Sequence, residues 1–384
     1  MSPAQTAVWL YLLTFALPLP VDFGLLGLGF LGAWTALKGT AQFPPRALFA
    51  LLPLALATVL GNFIAPDPSR SLSLTLALLP ACVIYLLICG YFELSQLVGL
   101  SLAASLMICS LGGWLLGVAV SHPASSPDEW IRQSHLTAFK VPNDVVFFQI
   151  LLPFALAQLK PKISMQSVLA AAACGIAVSV AVIYQSRLAV LTALAGGAVF
   201  FALRRTTKSA LWSMLLLAFG IAIVDTAFGF KLLGKFSSSW TSRLPLWLAA
   251  WQMFLCSPWT GHGIGSYALH YRNYLDWAHL PPWIAFDPRP TPWAHNLYLE
   301  VLAELGAQGL AALLFFLVSP LLTRPKYLPA PQIRMLACAA KAAWLAFALS
   351  AFFELSLWRQ WVGLVFLLTT ACITATNKFQ EGAP

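Results

Sequence analysis

Residues 97–120, LVGLSLAASLMICSLGGWLLGVAV, form a stretch of twenty-four residues with no charged side chain. Wound as an α-helix it is about 36 Å long, longer than the roughly 30 Å hydrocarbon core of a bilayer. Comparable apolar runs flank it: 7–20, 23–37, 47–65 and 72–90 before it, then 145–159, 165–184, 188–203, 210–228, 297–322, 335–355 and 362–375. Together they predict about twelve spans. Several contain proline or glycine, which membrane bundles tolerate.

Composition agrees. Only 9% of the 384 residues are charged, against about 25% in a soluble domain, so the surface must face lipid. The alternating strands of about ten residues that build a membrane β-barrel are absent from the sequence. The expected fold is therefore all-α: a polytopic transmembrane bundle, with residues 1–384 as one integral membrane domain. The run 7–20 reads as a retained first span, because neither a basic leader segment nor a small-residue cleavage site accompanies it. Every cysteine except Cys256 falls inside an apolar run, which favours packing over a disulfide framework or a zinc site.

The net charge of +9 follows the loops. With the N-terminus inside, the inward connections carry Lys38, Arg46, Lys160, Lys162, Arg204, Arg205, Lys208, Arg324, Lys326 and Arg334, with Lys378 in the tail. Most outward connections mix signs, as in Asp67 with Arg70, or Asp128 and Glu129 with Arg132 and Lys140. This positive-inside bias predicts that both termini are cytoplasmic. It also accounts for the basic surplus as a topology signal, with no indication of nucleic-acid binding.

All six histidines fall on the outward side of this scheme, as do seven of the fifteen tryptophans, within 240–293. They concentrate in one long segment, 229–296, between the ninth and tenth spans. Residues 243–254 of that segment repeat Leu244, Trp247, Leu248, Trp251 and Phe254 at helical spacing, as in a helix lying on a membrane surface. A glycine-rich turn, Gly261-His262-Gly263-Ile264-Gly265, follows.

Those glycines lack the strand and βαβ unit of a dinucleotide fingerprint. They suit a tight turn, or at Gly263 a close backbone approach to a phosphate or sugar. The histidine spacings match no zinc signature, and no G-x-S-x-G elbow or paired aspartates occur, so no metal and no cofactor are expected. Arg187 sits in the short outward link Gln185-Ser186-Arg187, where it either anchors the interface or meets an anion. Arg243 opens the amphipathic helix. His295 precedes the tenth span and suits a helix cap or a base.

Three motifs then resemble the O-antigen ligase and polymerase superfamily. His295-Asn296 opens a helix that continues into Glu304-Leu305-Gly306-Ala307-Gln308-Gly309. Ser186-Arg187-Leu188 is similar to the family's serine–arginine motif, with leucine where glycine often follows. Arg243, Trp247, Pro258, Gly261 and Gly263 resemble its R-x-x-x-W…P-x-x-G-x-G stretch. The matches cover roughly residues 175–320 in the family's order. Within the superfamily the ligases are nearest; the alternatives are the polymerases, whose two sizeable outward loops and R-x10-G pattern are missing here, and the protein O-oligosaccharyltransferases, while spans nearly free of charge disfavour a transporter or flippase.

The resemblance implies a GT-C-like glycosyltransferase in the bacterial inner membrane, with its site facing the periplasm. Its partners would be a polysaccharide on undecaprenyl pyrophosphate, the lipid A–core acceptor and the surrounding membrane lipids. Arg187 and Arg243 would clamp the pyrophosphate leaving group, and His295 would take the acceptor's proton. Arg70, Arg132, Lys140, Arg359, Trp293, Asn296 and Gly263 would bind substrate, and Trp240, Trp277 and Trp283 would stack on sugars or anchor the interface. Glu300 and Glu304 share one helix face and are expected to hold neighbouring helices together.

Overall fold

Five of the described helices start where a short polar side chain stands ready to cap them. Ser2, Asp67, Ser126, Ser164 and Ser186 each accept the backbone N–H three residues on, satisfying a donor that would otherwise be orphaned. The computed structural model describes residues 2–17, 44–160, 163–204, 243–275, 291–322 and 331–381, with isolated positions between 215 and 226.

In chain order the helices are α1 (Pro3–Ala16), α2 (Pro45–Phe63), α3 (Pro68–Tyr91), α4 (Leu94–Met107), α5 (Gly113–Ser121), α6 (Pro127–Gln133), α7 (Val146–Gln158), α8 (Met165–Ile183), α9 (Arg187–Leu203), α10 (Leu244–Cys256), α11 (Ser266–His270), α12 (Leu297–Leu322), α13 (Pro331–Ser350) and α14 (Gln360–Glu381). No strand occurs among the described residues. Ten of the apolar runs coincide with helices apart from their ends. The run 23–37, and all but a few residues of 210–228, lie outside the described residues. Seven helices among the described residues are long and apolar enough to cross a membrane, so the chain is a multi-pass helical membrane protein.

The run 97–120 is helical throughout, with α4 and α5 joined by a π-helical turn, Ile108–Gly112. At that turn Gly112 faces Ile176 of α8 so closely that a Cβ would meet it at 2.6 Å. At the bundle's centre stand α7 and α14, almost wholly buried, while α2, α3 and α8 leave more than half of their residues uncovered toward lipid. Phe139, Phe147, Phe148 and Trp361 interlock there edge to face, with centroids 5.4–6.4 Å apart. Each such pair is worth about 1 kcal/mol, which counts in lipid, where apolar burial drives association weakly.

The amphipathic segment folds as α10, and two of its large apolar residues stay on the outside, as expected of a helix lying on a membrane surface. Pro245, Leu246, Ala249, Ala250 and Met253 are buried, whereas Leu248, Trp251 and Leu255 are exposed. Small residues let α10 lie close on α12, and the large ones are left to meet lipid.

A break in α12 places the glycine-rich turn. Gly306 has φ 67° and ψ −167° inside the helix, a conformation only glycine adopts readily. The interrupted ladder is restitched by the turn: His262 N–H donates to Ala303 O at 3.0 Å and Gly263 N–H to Glu304 O at 2.8 Å. In return Ala307 N–H donates to Pro258 O at 2.8 Å. Polar backbone inside a bilayer must find protein partners, and here turn and break satisfy one another.

Candidate functional site

The starts of α7, α9, α12 and α14 and the link after α13 converge at one end of the bundle. That link, 351–359, was read from sequence as still partly span; the structure ends α13 at Ser350. Leu297 N–H donates to Ala351 O at 2.8 Å, fastening the start of α12 to it.

At the centre lies Glu354, 1% exposed. Its carboxylate accepts from Arg243 Nη2 at 2.7 Å, His295 Nδ1 at 2.9 Å and Asn143 Nδ2 at 3.0 Å. Burial alone would raise this carboxyl, but the facing His295, then Arg243 and Arg359, hold it down at about 2. An ionised carboxylate only accepts hydrogen bonds, so Nδ1 of His295 carries a proton. In the neutral imidazole, Nε2 is then the lone-pair nitrogen.

Backbone geometry aims the histidine. His295 has φ 51°, a left-handed conformation that turns the chain into α12. Asn296 next to it caps the helix, its Oδ1 accepting Leu299 N–H at 3.0 Å. The serine–arginine motif repeats the device: Gln185 has φ 55°, and Ser186 caps α9 through Ala189 N–H. Arg187 follows at the first turn of α9, near enough to Arg243 for the two charges to act on each other. Ser186 Oγ also donates to Asn143 Oδ1 at 3.1 Å, tying this motif to Glu354 through one asparagine.

A second buried ion pair flanks the first. Arg359 binds Asp144, which also accepts the backbone N–H groups of Lys140 and Val141. The Arg359 guanidinium lies 4.5 Å above the Trp293 ring, and that ring is 5.6 Å from the His295 imidazole.

Of the residues singled out in the sequence, Arg187, Arg243, His295, Trp293 and Arg359 are thus brought together. Arg132 and Lys140 have exposed side chains and make no described side-chain contact with the cluster. Arg70 lies instead beside Gly265 and acts on Glu304. Asn296 serves as a helix cap. The close approach at Gly263 is to protein: a Cβ there would overlap the backbone of Ala65 beyond α2. Trp240, Trp277 and Trp283 lie outside the described residues.

Glu300 and Glu304 do hold neighbouring segments. Glu300 accepts from Ser356 Oγ at 2.8 Å. Glu304 takes Tyr267 N–H at 3.0 Å and Trp358 Nε1 at 2.6 Å. Sequence reasoning passed over Glu354, Asn143 and Asp144. The signal for Glu354 was available: it is the one carboxylate in the run 335–355, and an ionisable group in such a run marks function by default.

A cavity of about 820 Å³ lies at the opposite end of the bundle, lined by Arg46, Phe49, Tyr85, Phe315 and Asn377 among others. It is separate from this cluster. Among the described residues, no three His, Cys, Asp or Glu side chains gather in a way that could hold a metal ion.

Fold and site together define an integral-membrane protein with a cluster of arginines, histidine and carboxylate where its spans emerge. Residues 172–314 match the model of the Wzy_C family, described as O-antigen ligase, over the same stretch in which the three sequence motifs resemble the O-antigen ligase and polymerase superfamily. The matched stretch contains Arg187, Arg243, His295 and the glycine junction, and it stops short of Glu354. No curated protein matches the chain.

Proposed function

We propose that the protein is an O-antigen ligase, transferring polysaccharide from undecaprenyl pyrophosphate to lipid A–core at the periplasmic face of the bacterial inner membrane. The observation that carries this reading is the single carboxylate of Glu354 joined to both His295 and Arg243. That contact supports reading His295 as a base and Arg243 as an anion-binding group beside it.

In the reaction, an acceptor sugar hydroxyl attacks the anomeric carbon of the donor. The bond from that carbon to the pyrophosphate oxygen breaks, and the leaving group keeps the electron pair. Arg187 and Arg243 stabilise the charge that builds on it. The hydroxyl proton passes to Nε2 of His295, whose imidazolium Glu354 stabilises through Nδ1. Direct attack of this kind inverts the anomeric centre. Arg359 and Trp293 line the acceptor side.

The topology proposed is twelve spans with both termini cytoplasmic and 229–296 as the large periplasmic segment. Supporting this, Arg46 lies in the first turn of α2, Arg204 directly follows α9 and Arg334 lies in the first turn of α13; in α9 and α13 that is the end opposite the one nearest the cluster. Positive charge at those ends marks the cytoplasmic side.

The test uses membranes from a strain lacking the native enzyme. His295→Ala is expected to abolish transfer while inserting at normal levels, and substantial residual transfer would remove His295 from the base role. Transfer is expected to persist in excess chelator. Accumulation of single repeat units, rather than lipid-linked polymer, in cells lacking the gene would assign a polymerase instead.

A further inference from the structure

The turn Pro142–Val145 gathers three parts of the site that are far apart in sequence. Asn143 Nδ2 donates to Glu354 Oε2 at 3.0 Å, and Asn143 Oδ1 accepts from Ser186 Oγ at 3.1 Å. The next residue, Asp144, binds Arg359. One two-residue step thus fixes both ends of 354–359 and the serine ahead of Arg187. None of the sequence motifs includes it, and it lies outside the matched stretch 172–314.

An asparagine amide is suited to this junction. It offers a donor to the carboxylate and an acceptor to the hydroxyl at once. A purely apolar residue would leave Glu354 one donor short, and a buried acceptor that loses its donor is destabilised. Glu354 must also point Oε1 at His295 while Oε2 serves Arg243, and the Asn143 donor on Oε2 fixes that rotation of the carboxylate.

We propose that Asn143 is a positioning residue for the His295 base, acting through the orientation and charge of Glu354. This rests on the reading of His295 given above. The charged groups facing Glu354 are His295 from the start of α12, Arg243 from the start of α10 and Arg359 from the start of α14. Asp144 adjoins Asn143 in the chain, and Arg187 adjoins Ser186.

Two variants separate positioning from space-filling. Asn143→Ala removes the donor, with an expected tenfold or greater fall in kcat and little change in KM for the lipid-linked donor. Asn143→Asp keeps the shape but sets a second negative charge against Glu354. That charge favours the imidazolium of His295, so the acid limb of the pH–rate profile is expected to move to higher pH by about one unit.

Both variants are measured as purified full-length protein in lipid nanodiscs, with size-exclusion profiles and thermal unfolding to establish that they are folded. A second readout needs no activity: ¹⁵N-histidine NMR in bilayers, with the His295 signal assigned by its loss in His295→Gln. In Asn143→Asp that signal is expected to stay protonated on both nitrogens to a higher pH than in the unaltered protein. Superimposed pH profiles and unchanged His295 signals in Asn143→Asp would overturn the proposal, as would full activity in Asn143→Ala. If His295 is not the base, an acid limb survives in His295→Gln, while the NMR titration still tests the link from Asn143 through Glu354.

Discussion

Replacing Glu354 with glutamine keeps the shape of the side chain and removes its charge. In the native site the carboxyl is held near 2, against an ordinary value of 4.5. That difference corresponds to about 3.5 kcal/mol, at roughly 1.4 kcal/mol per pKa unit. The side chains of Arg243 and His295 are 20% and 23% exposed, so water recovers part of what the lost partner supplied. The imidazolium formed during transfer loses the most, because it is the charge that Glu354 meets directly. Glu354→Gln should therefore lower kcat by about a hundredfold, with a smaller effect on KM for the lipid-linked donor. The assay is transfer of glycan by the purified variant in nanodiscs, followed by gel analysis. A folded variant with kcat within threefold of the unaltered protein would refute the coupling of Glu354 to the base. The sign of the pH effect is also fixed. A depressed folded pKa contributes stability that is complete above the ordinary carboxylate range and is lost progressively as pH falls from about 4.5 to about 2. Between pH 5 and 9 Glu354 stays ionised, and an acid limb in that window belongs to another group.

Three further outcomes are expected. Arg187→Lys keeps the charge but loses the planar fork, and kcat should fall at least tenfold; normal activity would make Arg187 a simple interfacial anchor. Gly263→Ala drives a methyl into the backbone at Ala65 and strains a residue with φ 90°, so thermal stability should drop by about 1–3 kcal/mol. A stable Gly263→Ala protein with raised donor KM would restore the substrate-contact reading. Arg132→Gln and Lys140→Gln, both exposed, should leave kcat unchanged when measured in the same assay, and a tenfold loss in either would place that side chain on the acceptor.

Hydrophobic run length made the spans legible, because a helix must satisfy its own backbone wherever it meets lipid. The arginines and the histidine were legible as rare polar residues at span ends. The partner that organises them was not. Glu354 lies 59 residues beyond His295, and Asn143 lies 211 residues before Glu354; no spacing rule connects contacts made by helix ends meeting in space. Gly263 is a related case: its type implied a close approach, and the group its missing side chain admits is the chain itself, at Ala65. In 243–254 the large residues Leu248 and Trp251 lie outward as the membrane-surface reading expects, while the packed face of α10, set by Leu246, Ala249, Ala250 and Met253, was not marked by the pattern.

The most direct test of the central claim is the lipopolysaccharide profile of a strain deleted for its ligase and complemented with this chain. The unaltered protein should restore polymer attached to lipid A–core, and His295→Ala, inserted at the same level, should leave polymer on its lipid carrier. Restoration of the attached polymer by His295→Ala would contradict the account.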